Sequence, residues 1–327
     1  MARYAKRDAK AWARENLRGQ FSTLVTPFTA GDEVDEEALR FNIRQIRALG
    51  TRGAGCTWNM GEFWSLTREE RHKIYDIVST EAAGQWLIAA QVTHTSYKEA
   101  IALAKYAESR AFDVLILAAP YIATKTEKQV VDFVKVVAEG TNLGIMFYNS
   151  PQFGMVMSAA GLKELCRIPN VVGIKEASFN QQISIDTHQQ VGADAVISTP
   201  DDWIYFKGKE LGFQQQVMFS NTSDWRFGKN YVAWSERANR GDVDRATYDA
   251  QIKPLKDLSD KWWPRMVQKH GGVLPVALCK YWGQLMGMRG GPVRLPLQDL
   301  TAEEQAELKK ELEAVRHQAP VAGGVRS

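Results

Sequence analysis

Eight short apolar runs recur along this chain, each followed by a helical pattern, and that recurrence restricts the fold more than any other feature. Residues 21–26 read as a strand that Pro27 stops. Asp32 to Asp35 then supply turn and N-cap chemistry for a helix with Leu39, Ile43, Ile46 and Leu49 at helical spacing. Gly50 ends it. The apolar run returns at residues 53–58, 86–92, 114–119, 144–148, 171–176, 195–198 and 215–220. Thr67 with Glu70, and Thr126 with Gln129, are capping boxes that open two of the intervening helices. Runs this short suit buried parallel strands better than buried helices. Eight strand–helix units at intervals of roughly 25 to 35 residues predict an α/β chain folded as an eightfold β/α (TIM) barrel. A doubly wound open sheet is the alternative, but no Gly-x-Gly-x-x-Gly follows the first strand, so its dinucleotide-binding version has no support.

The barrel accounts for residues 21–240, read as the catalytic domain. Residues 1–20 form a helical extension with Trp12 and Leu17 among many charges, free to pack on the body or on a neighbouring subunit. Residues 241–327 form a C-terminal helical segment, with helices near 242–268, 274–286 and 301–316, and a frayed tail from 319 onward.

Charge excludes several partners. With 41 basic and 38 acidic residues the net charge is +3, so no strong field points to nucleic acid or an anionic membrane. A small molecule is the expected partner. Cys56, Cys166 and Cys279 are odd in number, widely spaced and set among apolar neighbours, which suits buried thiols in a reducing compartment. The amino terminus lacks the apolar core of a signal peptide, and no stretch approaches the roughly 18 uncharged apolar residues of a membrane span. A cytoplasmic location is expected.

In a barrel the chemistry gathers at the carboxyl ends of the strands. The sixth run ends on Lys175, where apolar walls would strip an amine of hydration, lower its pKa and make it a nucleophile for ketones. The fifth run ends on Tyr148, so adjacent strands set a phenol beside an amine. That pairs an acid and base with a nucleophile, as imine formation requires. The other ends carry Thr26, the stretch from Trp58 to Glu62, Thr93 with His94, Pro120 with Tyr121, Thr199 and Asn221. No zinc spacing or carboxylate–histidine cluster is present, so no metal is expected.

Thr26-Pro27-Phe28, Gly61-Glu62 with Leu66-Thr67, Pro120-Tyr121, Tyr148-Asn149-Ser150-Pro151, Gly173-Ile174-Lys175-Glu176 and Arg294-Leu295-Pro296-Leu297 occur in that order. Together they resemble the dihydrodipicolinate synthase and N-acetylneuraminate lyase superfamily over about residues 20–300. The resemblance implies that Lys175 forms an imine with pyruvate or another 2-keto acid, that Tyr148 shuttles protons, that no separate cofactor is needed, and that the chain assembles as a homotetramer. Three departures qualify it. Asn59 and Met60 stand where the synthase and the sialic acid lyase carry two small hydroxyl residues for pyruvate's carboxylate. Ile122 stands where the synthase has a second relay tyrosine, and Gln152-Phe153-Gly154 where it has an arginine for the second substrate. These losses argue against lysine biosynthesis.

Aromatic and apolar residues replace the lost groups: Trp58, Met60, Phe63, Trp64, Phe153, Trp203 and Trp225 lie on segments leaving the open end. They read either as ordinary loop anchors, buried for their area, or as a pocket for an aryl or apolar tail, which would resemble the hydratase-aldolase branch that cleaves arylidene-pyruvates to an aldehyde and pyruvate. The expected substrate contacts are Trp58, Asn59, Met60, His94, Tyr121, Phe153, Asn221 and Trp225, with Lys175 and Tyr148 catalytic. Two alternatives stand beside that carbon–carbon lyase: a synthase or sugar-acid dehydratase/aldolase acting on a small polar substrate, and a catalytically silent barrel that binds a keto acid.

Overall fold

The computed structural model describes residues 3–316. Eight parallel strands make one sheet: β1 (Gly19–Thr23), β2 (Gly53–Cys56), β3 (Leu87–Gln91), β4 (Val114–Ala118), β5 (Gly144–Asn149), β6 (Val171–Glu176), β7 (Val196–Ser198) and β8 (Val217–Phe219). Each strand from β2 to β7 pairs with its predecessor, and β1 also pairs with β8. Side chains rather than a strand ladder join β7 to β8. The Phe219 N–H donates to Ser198 Oγ at 2.8 Å, and Gln215 accepts from the Thr199 N–H at 2.5 Å while donating to its carbonyl at 3.2 Å. The sheet thereby becomes a nearly closed barrel, as the recurrence predicts.

Every strand position except Leu87 is buried. Helices cover the outer face and side chains fill the inner one, which is why the strands read as continuous apolar runs instead of alternating ones. The outer ring is α2 (Glu36–Ala48), α3 (Arg68–Ala82), α4 (Tyr97–Ser109), α5 (Glu127–Glu139), α6 (Ala159–Leu165), α7 (Gln181–Val191), α8 (Trp203–Leu211) and α9 (Ser223–Ala238). Asp35 caps α2, and both predicted capping boxes form, at Thr67 and at Thr126. Helix α9 breaks at Gly228, whose φ of 75° and ψ of −157° suit glycine alone. Its first turn, with Trp225 and Arg226, is therefore set apart from the rest of the helix, beside the carboxyl ends of β7 and β8.

Helix α1 (Ala9–Asn16) packs on the barrel itself. It buries Ala9 and Ala13, with Leu17 just beyond, and lies against β5 and β6. Lys10 Nζ donates to the Cys166 carbonyl and an Arg14 guanidinium nitrogen to that of Ala193, both in segments that lead into strands. The extension therefore sits at the end opposite the strand termini that carry Lys175 and Tyr148. Its boundary falls slightly earlier than the sequence reading, because Gly19 already pairs with Val217.

Helices α10 (Arg245–Gln251), α11 (Lys253–Lys269), α12 (Val276–Leu285) and α13 (Ala302–Arg316) gather with α8 and α9 around a second apolar cluster that includes Trp234, Trp262, Trp282 and Leu308. The single helix expected over 242–268 is two helices, parted at Ile252. The tail expected from 319 lies outside the described residues. Among the described residues, no helix is long and apolar enough to cross a membrane.

Candidate active site

Lys175 and Tyr148 are register partners across β5 and β6, and Lys175 Nζ lies 4.6 Å from the Tyr148 ring centroid. The amine is 1% exposed, and burial alone pulls its pKa down to about 7 from its ordinary value of 10.5. Near neutral pH a large fraction of Lys175 is therefore an uncharged nucleophile. Its hydrogen-bond partner is Asn221 Oδ1 at 3.4 Å, just past β8. Burial pushes the Tyr148 phenol up, and Ser150 pulls it part of the way back. Tyr148 is consequently a proton donor at rest, and its conjugate base, once formed, is strong.

Trp58 completes the pocket around the amine. Its indole lies over Gly55, where an added Cβ would fall 1.9 Å from the ring, so glycine at that position lets the tryptophan fold back into the barrel. There it packs 5.5 Å from the Phe219 ring, with Lys175 Nζ 4.3 Å from its own centroid. Lys175 thus has an aromatic ring on each of two sides, an arrangement that favours the positive charge of an iminium. Trp58 Nε1 is buried and has no hydrogen-bond partner in the protein, and the same holds for Asn59 Oδ1. Asn59 and Met60, both buried, form a single 3-10 turn that ends at Glu62.

A buried ion pair fixes that turn. Glu62 adopts the left-handed conformation (φ 55°), and its carboxylate lies 2.5 Å from Lys280 Nζ of α12 while accepting from the Arg294 N–H at 2.9 Å. Burial raises the Glu62 pKa and lowers that of Lys280, and their mutual attraction opposes both shifts. The Arg294 side chain continues the tie through Asp32 and Glu70. Thus two motifs far apart in sequence, Gly61-Glu62 and Arg294 to Leu297, form one brace behind the turn.

On the side of β4 and β5, Phe153 stacks edge-on against Tyr148 at 5.4 Å and meets Phe63 at 6.0 Å and Tyr121 at 6.5 Å. His94 lies half-buried beyond β3, where burial lowers its pKa. Its Nδ1 accepts from the Ser96 N–H at 2.9 Å, which leaves the ring proton on Nε2. Ile122 has φ 80° and is 82% exposed, a costly conformation for a β-branched residue.

On the side of β6 to β8 a cavity of about 410 Å³ opens above the side-chain seam. Its lining combines the aromatic side chains of Phe179, Trp203, Phe227 and Trp263 with polar and charged groups, among them Asp201 and Lys256, and Asn221 separates it from Lys175. Trp225 does not line it. That side chain is 1% exposed and packs against Gly283 of α12, so it anchors α9 rather than facing substrate. Its neighbour Arg226 lines the cavity instead. Sequence reading missed Arg226, Phe179, Phe227 and Trp263. Successive residues of a helical turn point about 100° apart, so only the packing of Trp225 reveals that Arg226 faces inward. Trp263 was hidden because the C-terminal segment read as mere packing beside the barrel. Among the described residues, no group of three or more His, Cys, Asp or Glu residues is placed to hold a metal ion.

The model of the dihydrodipicolinate synthetase family matches residues 16–315. The chain is 27% identical over 303 residues to the 4-hydroxy-tetrahydrodipicolinate synthase of Oceanobacillus iheyensis, covering 92% of this chain and 98% of that one. It is 31% identical over 187 residues to the protein of the same name from Rhodopseudomonas palustris, covering 57% and 63%. Among solved structures it resembles dihydrodipicolinate synthase from Aquifex aeolicus, with a TM-score of 0.78 at 24% identity, covering 94% of this chain and all of that one. It also resembles YagE, a prophage protein of the dihydrodipicolinic acid synthase family from Escherichia coli in complex with pyruvate. That TM-score is 0.79 at 22% identity, covering 91% and 98%.

Proposed function

Because the chain belongs to the dihydrodipicolinate synthetase family and is a Schiff-base pyruvate aldolase or synthase of that family, we propose that it cleaves 4-hydroxy-2-keto acids bearing an aryl or apolar tail into an aldehyde and pyruvate. The observation that carries this reading is the cavity one residue away from Lys175, to which Phe179, Trp203, Phe227 and Trp263 contribute four aromatic side chains. A hydrated arylidene-pyruvate fits that description.

Neutral Lys175 attacks the C2 carbonyl. Tyr148 protonates the carbinolamine hydroxyl, which leaves as water, and the resulting iminium is held beside the Trp58 and Tyr148 rings. The Tyr148 phenolate then removes the C4 hydroxyl proton. The C3–C4 bond breaks, its electron pair passes into the iminium to give an enamine, and the aldehyde departs. Tyr148 returns the proton to C3, and water releases pyruvate and the free amine. For an unsaturated substrate, water adds at C4 of the iminium first. Burial keeps Tyr148 protonated at rest, which suits the acid step, and donating that proton leaves the phenolate that the base step uses. Metal and separate cofactor have no assigned role, since the iminium is the electron sink.

Borohydride reduction in the presence of pyruvate tests the chemistry; an unmodified Lys175 peptide would overturn it. Turnover of arylidene-pyruvates tests the substrate class. The names of the relatives favour a second reading, a synthase joining pyruvate to aspartate semialdehyde. Faster consumption of that pair than of any aryl substrate would select it, and detectable pyruvate release would discard a silent binding barrel. We place the enzyme in the cytoplasm, on its three buried free cysteines, and as a homotetramer by family, with exposed Ile122 at a contact between copies.

A further inference from the structure

The first turn of α9 places a cation in the cavity beside the catalytic lysine. Arg226 is 4% exposed and lines the cavity, and its Nε has no hydrogen-bond partner in the protein. One terminal nitrogen donates to Ser259 Oγ, and the other donates to the Asn221 carbonyl at 3.4 Å. The rings of Phe227 and Trp263 lie 4.9 Å from the guanidinium carbon, and Trp282 lies 5.9 Å away. Among the described residues, no carboxylate oxygen comes within 4.0 Å of it.

The other charges of the cavity are differently placed. Lys256 pairs with Asp201 at 3.8 Å and also bonds Asp260, at the solvent-exposed rim. Asp202 is turned away, accepting from Tyr231 at 2.8 Å and from Tyr248 at 3.2 Å. Glu176 is held by Asn149 and Ser178. Buried Asp224, two residues back on the same turn, attracts Arg226 without forming an ion pair and itself accepts from Ser220 at 2.6 Å, so the guanidinium has no carboxylate at hydrogen-bond distance; stacked on aromatic faces, it is suited to binding a planar carboxylate.

Asn221 touches both functional groups: its side-chain oxygen meets Lys175 and its carbonyl meets Arg226. The two contacts through Asn221 put the guanidinium within about 12 Å of the amine, a span that a three-carbon keto-acid chain followed by one ring can bridge. Resting on the Schiff-base reading above, we propose that Arg226 anchors a second carboxylate at the far end of the substrate's tail. The substrate class is then a dianion: an aryl-bearing 2-keto acid whose aldehyde product carries a carboxylate.

The test compares 3- and 4-carboxybenzylidenepyruvate with their carboxamide isosteres by equilibrium binding. Wild-type enzyme is expected to prefer the carboxylates by about tenfold or more, and R226M to reduce that ratio to near one, with R226K keeping part of it. Equal binding of both tails by wild type, a comparison that needs no variant to fold, would overturn the proposal. A preference that survives in R226M would overturn it too. Borohydride trapping of pyruvate on wild type is read separately. Its failure with the tail preference intact would strike the imine chemistry alone, and successful trapping without a preference would strike Arg226 alone.

Discussion

Lys175 Nζ lies closer to the centre of the Trp58 indole, at 4.3 Å, than to that of its strand partner Tyr148, at 4.6 Å. Trp58 follows β2 and Lys175 lies at the carboxyl end of β6, so the contact spans the barrel mouth. An iminium formed at Lys175 would rest against that ring face, an interaction worth about 0.5–2 kcal/mol. W58L should therefore weaken pyruvate imine formation by about twofold to thirtyfold, and W58F by less. Trapping yield against pyruvate concentration measures it, and unchanged trapping in W58L would remove Trp58 from the mechanism.

The lowered amine pKa sets the acid limb of the reaction. Lys175 has a pKa of about 7, so the rate of pyruvate trapping should rise through a midpoint near pH 7 and, at pH 6, run about tenfold below its plateau. A midpoint above 9 would mean that the amine is solvated.

The same burial costs stability. The unfolded chain carries Lys175 at a pKa of 10.5 and the folded chain at about 7, so between those values the unfolded state holds more protons and stability falls as pH drops from 10.5 towards 7. Below pH 7 the full penalty, on the order of a few kcal/mol, remains. K175M, which is inactive by this mechanism, should be more stable than wild type at pH 6, with a gain that shrinks by pH 9.5. Urea unfolding at the two pH values reads the difference, and equal gains at both would contradict the linkage.

The brace behind the Asn59–Met60 turn makes a different prediction. E62Q leaves the Lys280 ammonium buried beside a neutral amide, and should lose about 3–5 kcal/mol while raising the KM for pyruvate. E62Q/K280M should regain much of the stability, because no buried charge is left unpaired. Equal losses in the single and double variants would show that the pair is not coupled.

Ile122 gives a test of assembly. A β-branched residue at φ 80° with 82% of its surface exposed is strained and apolar at once, which a contact with a second copy would explain. Sedimentation of I122D should show a smaller assembly than wild type, and an unaltered distribution would place the contact elsewhere.

The barrel was legible because each of its units is local. Capping boxes at Thr67 and Thr126, a proline after the first strand and after the fourth, and apolar runs too short for helices are all read within a few residues. Lys175 and Tyr148 were legible for the same reason, since strand order alone puts neighbouring strand ends together. Trp225 was misplaced because its neighbourhood is not local. The helix break at Gly228 and the packing on Gly283 decide which side chain of that turn faces the cavity, and they select Arg226.

By itself, then, the sequence determined the eight strand–helix units and the lysine and tyrosine at two adjacent strand ends, because periodicity and chain order are properties of the chain. Only the tertiary structure decided what surrounds them: the tryptophan over the amine, the brace from Glu62 to Lys280, and the buried arginine beside Asn221. Those contacts join residues far apart in sequence, and burial, which sets the charge of Lys175 and the partners of Arg226, exists only once the chain has closed around them.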